Sequence, residues 1–493
     1  MAAIRTPDWV KHAVFYQVFP DRFAKSDRVE KPAHLQPWDS PPTGTGYKGG
    51  DLLGVVERLD HIQDLGATAI YFTPVFQSPS NHRYHTQDYY QVDPMLGGNG
   101  ALRTLLDEAH RRGMRVVLDG VFNHTGRGFF PFVDILENGR NSAWLDWFTV
   151  EGWPLSPYDG ARPANYACWA GHRALPRLNT DHPQVREYVM RVAEHWLREG
   201  IDGWRLDVPY EVTAPGFWQE FRRRVKAINP DAYIVGEIWT DSRRWLDGSQ
   251  FDGVMNYLFT EAAIAFTAGR RVRPETLKDR PYHPERALTG EGYARRIGEL
   301  LALYPWEIQL TQLNLLDSHD TARLVNIAGH DRASVRLATL LLLTFPGAPS
   351  IYYGDEIGLP GELDPDCRRA MPWERPDTWD REALAYHRRL IALRHAHPAL
   401  RTGAYHPLRA DADTVAFARA GEGEALLVAL NVAEAPREIV VPADGRFTEG
   451  AALRAVFGDR DARVEGGLVR LTLPARDGVV LHANPAEPAS RLG

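Results

Sequence analysis

The chain has 493 residues, 44% of them hydrophobic, enough for two or three domains with large cores. Lys and Arg number 57 and Asp and Glu 64, a net charge of −7 with no basic block, so nucleic acid is not an expected partner. No apolar run approaches the roughly 20 residues that a membrane span needs, and residues 1–9 lack the apolar core of a signal peptide, so a cytoplasmic protein is expected. Two cysteines, Cys168 and Cys367, do not suggest a disulfide framework and read as free thiols.

Along the chain, Ala13 to Phe19 reads as a first strand, rich in Val, Phe and Tyr. Asp51 to Leu65 has helical spacing and Gly66 closes it. Ala67 to Phe72 is a second strand. Thr73 to Gly100 is too long for a simple connection, which usually marks function. Ala101 to Gly113 is a helix and Met114 to Leu118 a third strand. The alternation continues with a helix at Pro183 to Glu199, a strand at Ile201 to Leu206, a helix at Phe217 to Ile228 and a strand at Ala232 to Val235. Further strands are expected at Gly253 to Tyr257, Gln309 to Leu316 and Ser350 to Tyr353, with helices at Ala333 to Leu343 and Arg381 to His397. Alternating strands and helices imply a parallel sheet. Eight strands imply a (β/α)8 barrel with its site on the C-terminal rim.

Two segments interrupt this rhythm. Residues 124–180 form an excursion rich in Trp, Phe, Gly and Pro, and Thr260 to Glu307 reads as charged helices on the barrel exterior. Beyond about Thr402 the runs become short and β-rich, which implies a small β-sandwich. The expected division is a barrel over 1–123 and 181–401, an inserted domain over 124–180 and a C-terminal sandwich over 402–493. There is no internal repeat.

The stretch that organises the chain is Gly203-Trp-Arg205-Leu-Asp207. On a strand, Arg205 and Asp207 project to one side, and opposite charges on a core strand are costly unless paired or working. Asp119-Gly-Val-Phe-Asn123-His124 lies upstream, and Val235-Gly-Glu237-Ile-Trp239 and Asp317-Ser318-His319-Asp320 lie downstream. Each is an apolar run that ends in an acid. Asp207 and Glu237 are separated by one strand–helix repeat, so they should end neighbouring strands on one rim.

This constellation resembles the α-amylase family, glycoside hydrolase family 13, from about Val14 to the C-terminus. The resemblance implies that Asp207 is a nucleophile, Glu237 a general acid and then base, and Asp320 a ligand of the sugar 2- and 3-hydroxyls. Arg205 would hold Asp207 ionised and oriented, and His124 and His319 would hydrogen-bond the same sugar. Tyr84 matches the family's stacking tyrosine, and Asp364 with Arg368 matches a pair that orients the next sugar. Asp119 and Asp88 read as loop-shaping, and Asn123 as structural or a metal ligand. Trp239 could offer a flat face to the leaving-group sugar or pack under a neighbouring loop.

Leu175-Pro-Arg-Leu178-Asn179, Ser318 and Glu211 resemble features of the neopullulanase, cyclomaltodextrinase and maltogenic amylase group. Pro209-Tyr210 replaces that group's usual Ala-Asn. The group usually has an additional N-terminal β-sandwich, whereas here Val14 already begins the barrel, which leaves the oligomeric state open. The resemblance implies no required cofactor. Calcium is conceivable at Asp27, Glu30 and Asp51, but Lys25 and Lys31 replace oxygen ligands, and a salt bridge within that loop explains the same residues. The implied partners are α-glucan oligosaccharides: cyclodextrins, malto-oligosaccharides, pullulan and, to a lesser extent, starch. A 4-α-glucanotransferase would use the same residues. A non-catalytic amylase-like subunit would have lost a carboxylate and gained a membrane anchor, and neither is seen.

Overall fold

A computed structural model describes residues 4–421 and 423–483. The first three residues of the expected 1–123 segment, and residues 422 and 484–493 of the expected C-terminal domain, lie outside the described residues. Eight parallel strands form the barrel: Phe15–Val18, Ala69–Phe72, Arg115–Gly120, Gly203–Leu206, Tyr233–Gly236, Gly253–Val254, Leu313–Asn314 and Ala348–Tyr352. The eighth strand pairs with the first, and a bridge between Met255 and Leu313 closes the ring.

Side chains alternate between the two faces of each strand. Phe15, Tyr71, Val117, Tyr233 and Val235 plug the barrel interior. Tyr16, Ile70, Leu118, Trp204 and Ile234 belong instead to the main core cluster, shared with the surrounding helices. Both faces are therefore buried, which is why these strands read as continuous apolar runs. Gly203 begins the fourth strand because a Cβ there would sit 2.4 Å from the carbonyl oxygen of Tyr233.

Helix Pro183–Glu199 has the bounds read from the sequence. Pro183 sits at its first turn and Gly200 caps it in the left-handed region at φ 109°. The expected helix over Asp51 to Leu65 is two helices, Leu52–Glu57 and Leu59–Leu65, because Arg58 between them leaves helical geometry at φ −116° and ψ 10°. The expected strand Gly253 to Tyr257 is shorter than read, since Tyr257 opens helix Tyr257–Thr267. That helix is not a charged exterior element. It is apolar nearly all round and packs between helices Gly290–Leu303 and Arg332–Thr344.

The strand expected over Gln309 to Leu316 shrinks to Leu313–Asn314, with Trp306–Gln309 helical. Buried side chains replace the ladder there. The Gln312 side-chain Oε1 accepts from the Val254 N–H at 3.0 Å, and the Thr311 hydroxyl donates to the Asp252 carbonyl at 2.6 Å.

The expected long connection after the second strand contains a hairpin, Phe76–Gln77 with Asp88–Val92. The segment from His124 to Thr180 folds over the rim. Bridges join His124 to Arg177 and Phe148 to Leu178, around a core of Phe129, Phe132, Trp147, Phe148 and Tyr166. The C-terminal domain is one eight-stranded antiparallel sheet. It folds over so that its end strands, Ala404–Ala410 and Arg437–Pro442, meet. Leu427 and Ala429 face the space inside the fold, while Leu426, Val428 and Leu430 face the barrel. Among the described residues no helix is long and apolar enough to cross a membrane. Both cysteines are free thiols.

Candidate active site

Cross-strand register builds the site. Asp119, Arg205 and Val235 lie level on the third, fourth and fifth strands. Asp207 and Glu237 stand two residues further on, so they emerge one layer above Arg205. The buried Arg205 guanidinium joins all the acids of this floor. Its Nη1 donates to both Asp119 oxygens and to Asp207 Oδ1, each at 2.9 Å. Its Nη2 lies 3.0 Å from Glu237 Oε2, an ionic contact outside hydrogen-bond alignment. Asp207 and Glu237 thus occupy the two terminal nitrogens of one guanidinium.

Backbone strain serves the same carboxyl. Val208 is left-handed at φ 37° and ψ 50°, costly for a β-branched residue. That turn aims the Val208 N–H at Glu237 Oε2, 3.2 Å away. The Trp239 indole N–H donates to Glu237 Oε1 at 3.1 Å.

The remaining residues singled out from the sequence gather around this floor. Tyr84 is held by its hydroxyl, 2.9 Å from Asp119 Oδ2 and 2.6 Å from His319 Nε2, with its ring parallel to His319. Asp320 Oδ2 lies 3.2 Å from His319 Nε2 and Asp320 Oδ1 lies 3.6 Å from Arg368 Nη2. Arg368 also pairs with Asp364 at 3.0 Å and donates to the His319 carbonyl at 2.9 Å. His124 Nε2 lies 4.0 Å from Asp207 Oδ2, and the ring stacks on Trp169. Trp239 is half-buried with one face 3.5 Å from the parallel ring of Tyr257, whose hydroxyl meets Ser318 Oγ at 3.3 Å. Arg177 contacts Glu211, so two features noted separately in the sequence touch across the rim.

Two positioning groups, Gln17 and Trp169, escaped the sequence reading, and a third, Asp119, reads there only as loop-shaping. Asp119 is a buried acceptor for Arg205, Tyr71 and Tyr84, beyond any loop-shaping role. Its parity with Val117 on the third strand was the available signal. Gln17 donates to His319 Nδ1 at 2.7 Å, and its signal was a lone amide in the apolar first strand. Trp169 came from the aromatic excursion, where nothing marked it from its neighbours.

The loop considered for calcium is tied by a lysine. Asp51 accepts from the Gly54 and Ser26 N–H groups at 2.7 and 2.9 Å and pairs with Lys31 Nζ at 2.9 Å. Lys31 also donates to the Met95 carbonyl at 2.6 Å, while Asp27 and Glu30 are exposed. Among the described residues these three acids do not converge on a common point.

Burial raises Asp207 and Glu237 above the ordinary carboxylate range, and Arg205 opposes it in both. The charge of Glu237 pushes Asp207 further, and that of Asp320 pushes Glu237 further. Asp207, expected to be held ionised by Arg205, is thus raised by burial despite that contact. Asp320 is also buried, but His319, Arg368 and Arg205 outweigh that and hold it below the ordinary range.

Burial depresses the cleft histidines, His85 to about 4 and both His124 and His319 to about 3. The unfolded chain protonates these rings near 6.5, so their contribution to stability is full above that pH and is lost as pH falls toward the folded values. Each contributes about 1.4 kcal/mol per pH unit in that window. The raised carboxylates contribute the opposite slope, so the test is a difference. Urea midpoints of wild type and His124→Gln are expected to converge as pH falls from 6.5 to 4.5. Parallel curves would show that His124 is not held neutral.

Known proteins resemble this chain in sequence and fold. The family model described as "Alpha amylase, catalytic domain" matches residues 17–378. A cyclomaltodextrinase of Bacillus sp is 46% identical over 429 residues, 86% of this chain and 73% of that protein. Neopullulanase 2 of Thermoactinomyces vulgaris is 43% identical over 487 residues, 97% of this chain and 78% of that protein. The crystal structure of the Nostoc punctiforme debranching enzyme soaked with acarbose is 59% identical with a TM-score of 0.89, covering 97% of this chain and 100% of that one.

Proposed function

This chain belongs to the α-amylase family, and from that premise we propose that it cleaves α-glucosidic bonds with retention, through a covalent glycosyl-enzyme on Asp207. It is a glycoside hydrolase and its relatives are α-glucan hydrolases. The observation that carries the mechanism is the seating of Asp207 and Glu237 on the two nitrogens of one buried guanidinium. Double displacement needs the two carboxyls as near neighbours, about 5–5.5 Å apart, whereas inversion needs room for a water between them, and a shared guanidinium supports the first.

Glu237 gives its proton to the departing glycosidic oxygen as an Asp207 oxygen bonds to the anomeric carbon. Water then attacks that carbon, Glu237 takes the water's proton, and Asp207 leaves as carboxylate. Asp320 and His124 hold hydroxyls of the sugar under attack, and Tyr84 with His319 presents a flat wall beside it. Proton NMR of the first product from an α-linked substrate is expected to show the α-anomer. An initial β-anomer would overturn the covalent mechanism.

The proposed substrates are cyclodextrins and short malto-oligosaccharides, with measurable activity on pullulan and less on starch. Similarity to a cyclomaltodextrinase and a neopullulanase supports this range, and similarity to a debranching enzyme adds branch-point bonds to it. The contact of Arg177 with Glu211 supports it from within, because both belong to the group-like features. The check is kcat/KM on cyclodextrin, maltotriose, pullulan and starch. A many-fold preference for starch over cyclodextrin would remove the chain from the cyclomaltodextrinase-like group. Trp239→Ala belongs in the same panel. With one face on Tyr257 and its N–H on Glu237, Trp239 acts through the acid, so the variant is expected to lose a similar factor on every substrate. A loss confined to pullulan would instead show stacking against the leaving-group sugar.

A further inference from the structure

We propose that the junction of the barrel and the C-terminal sheet holds a transition-metal site made of His397 Nδ1, Glu424 Oε1 and His482 Nε2, with Zn2+ the best match. The three come from separate elements. His397 follows the last long barrel helix, Arg381–Ala396; Glu424 opens strand Glu424–Asn431; and His482 lies near the end of strand Asp477–Ala483. His482 pairs with Leu426, and Glu424 is two residues from Leu426, so both side chains share its face. That is the face turned to the barrel, where Leu426 is buried and His397 approaches from the other side.

The donor atoms of the three all lie within 4.8 Å of one another, in half-buried surroundings. Two imidazoles and a carboxylate are a common zinc set, and bonds of 2.0–2.2 Å in tetrahedral array put donors about 3.3 Å apart. Here Glu424 Oε1 is 2.6 Å from His397 Nδ1 and 3.6 Å from His482 Nε2, values that straddle that separation. The carboxylate is already oriented, since its second oxygen accepts the Ala399 N–H at 3.0 Å. His482 stands beyond hydrogen-bond reach of the same oxygen, so hydrogen bonding alone uses only one of the two rings. A cation at the centre would engage both, with water as fourth ligand. It would fasten the end of the barrel to the C-terminal sheet.

The test is calorimetric titration of the chelator-treated full chain with Zn2+, together with visible absorption on adding Co2+, which reports tetrahedral nitrogen–oxygen ligation. One equivalent of Zn2+ is expected to bind and to raise the melting temperature. His482→Ala keeps the His397–Glu424 hydrogen bond and so the fold, and is expected to weaken Zn2+ binding more than about tenfold, the lower end of the effect of losing even an outer-shell partner. Glu424→Gln should do the same, and neither should change kcat without added metal. Absence of saturable Zn2+ binding, or binding that both variants leave unchanged, would reduce the three residues to a hydrogen-bonded tie and overturn the proposal.

Discussion

Asp207→Asn is expected to lower kcat by more than the roughly hundredfold that a single assisting group supplies, with melting temperature almost unchanged. Asparagine keeps the carbonyl oxygen that accepts from Arg205 Nη1, so the floor of the site stays tied. What it removes is the anion that bonds to the anomeric carbon. Glu237→Gln separates the second role. It should slow poor leaving groups most, because those need the proton, and activated leaving groups least. The pH profile carries the sign. Burial raises Glu237, so activity falls as pH rises through that elevated value and the acid loses its proton. With an activated leaving group, Glu237→Gln should flatten that basic limb. An Asp207→Asn enzyme that kept more than about a hundredth of wild-type rate, or a Glu237→Gln enzyme with an unchanged basic limb, would sink these assignments.

The barrel was legible because its strands are buried on both faces and its helices carry clear ends, as Pro183 and Gly200 show. Strands failed to read where side chains replaced the ladder, at Thr311 and Gln312. Arg205 and Asp207 could be placed on one side by strand parity alone, and the separation of Asp207 from Glu237 put both on one rim. Parity says nothing about which strands lie level. The alignment of Asp119 with Arg205 is a cross-strand register, set by a barrel closed over hundreds of residues, so Asp119 looked like a loop residue. Tyr84 is singled out by the family resemblance, yet its hold on Asp119 and His319 joins three distant segments that no local pattern connects. Arg58 divides a helix whose apolar spacing runs on unbroken, because the break lies in backbone angles and leaves the pattern intact.

Arg205→Met is the variant expected to cost most in stability as well as activity. The guanidinium is fully buried and, among the described residues, is the one cation that contacts Asp119, Asp207 and Glu237 together. Removing one partner of a buried ion pair typically costs about 3–5 kcal/mol, because the remaining charge is left without water or counter-ion. Here three carboxyls are left, and they escape the penalty only by taking up protons. The destabilisation should therefore be largest near pH 8 and shrink toward pH 5, where protonation of those carboxyls is cheaper. Arg205→Lys should recover part of the stability and little of kcat, because one ammonium cannot serve the two nitrogen positions that separate Asp207 from Glu237. Pairing Arg205→Met with Asp119→Asn removes one of the stranded charges and should restore stability while leaving the enzyme inactive. That split separates a positioning role from a merely structural one. Denaturation of the four proteins at the two pH values, beside their rates on cyclodextrin, decides it: equal destabilisation at pH 8 and pH 5, or a double variant that regains activity with its stability, would mean that Arg205 does not hold the catalytic pair.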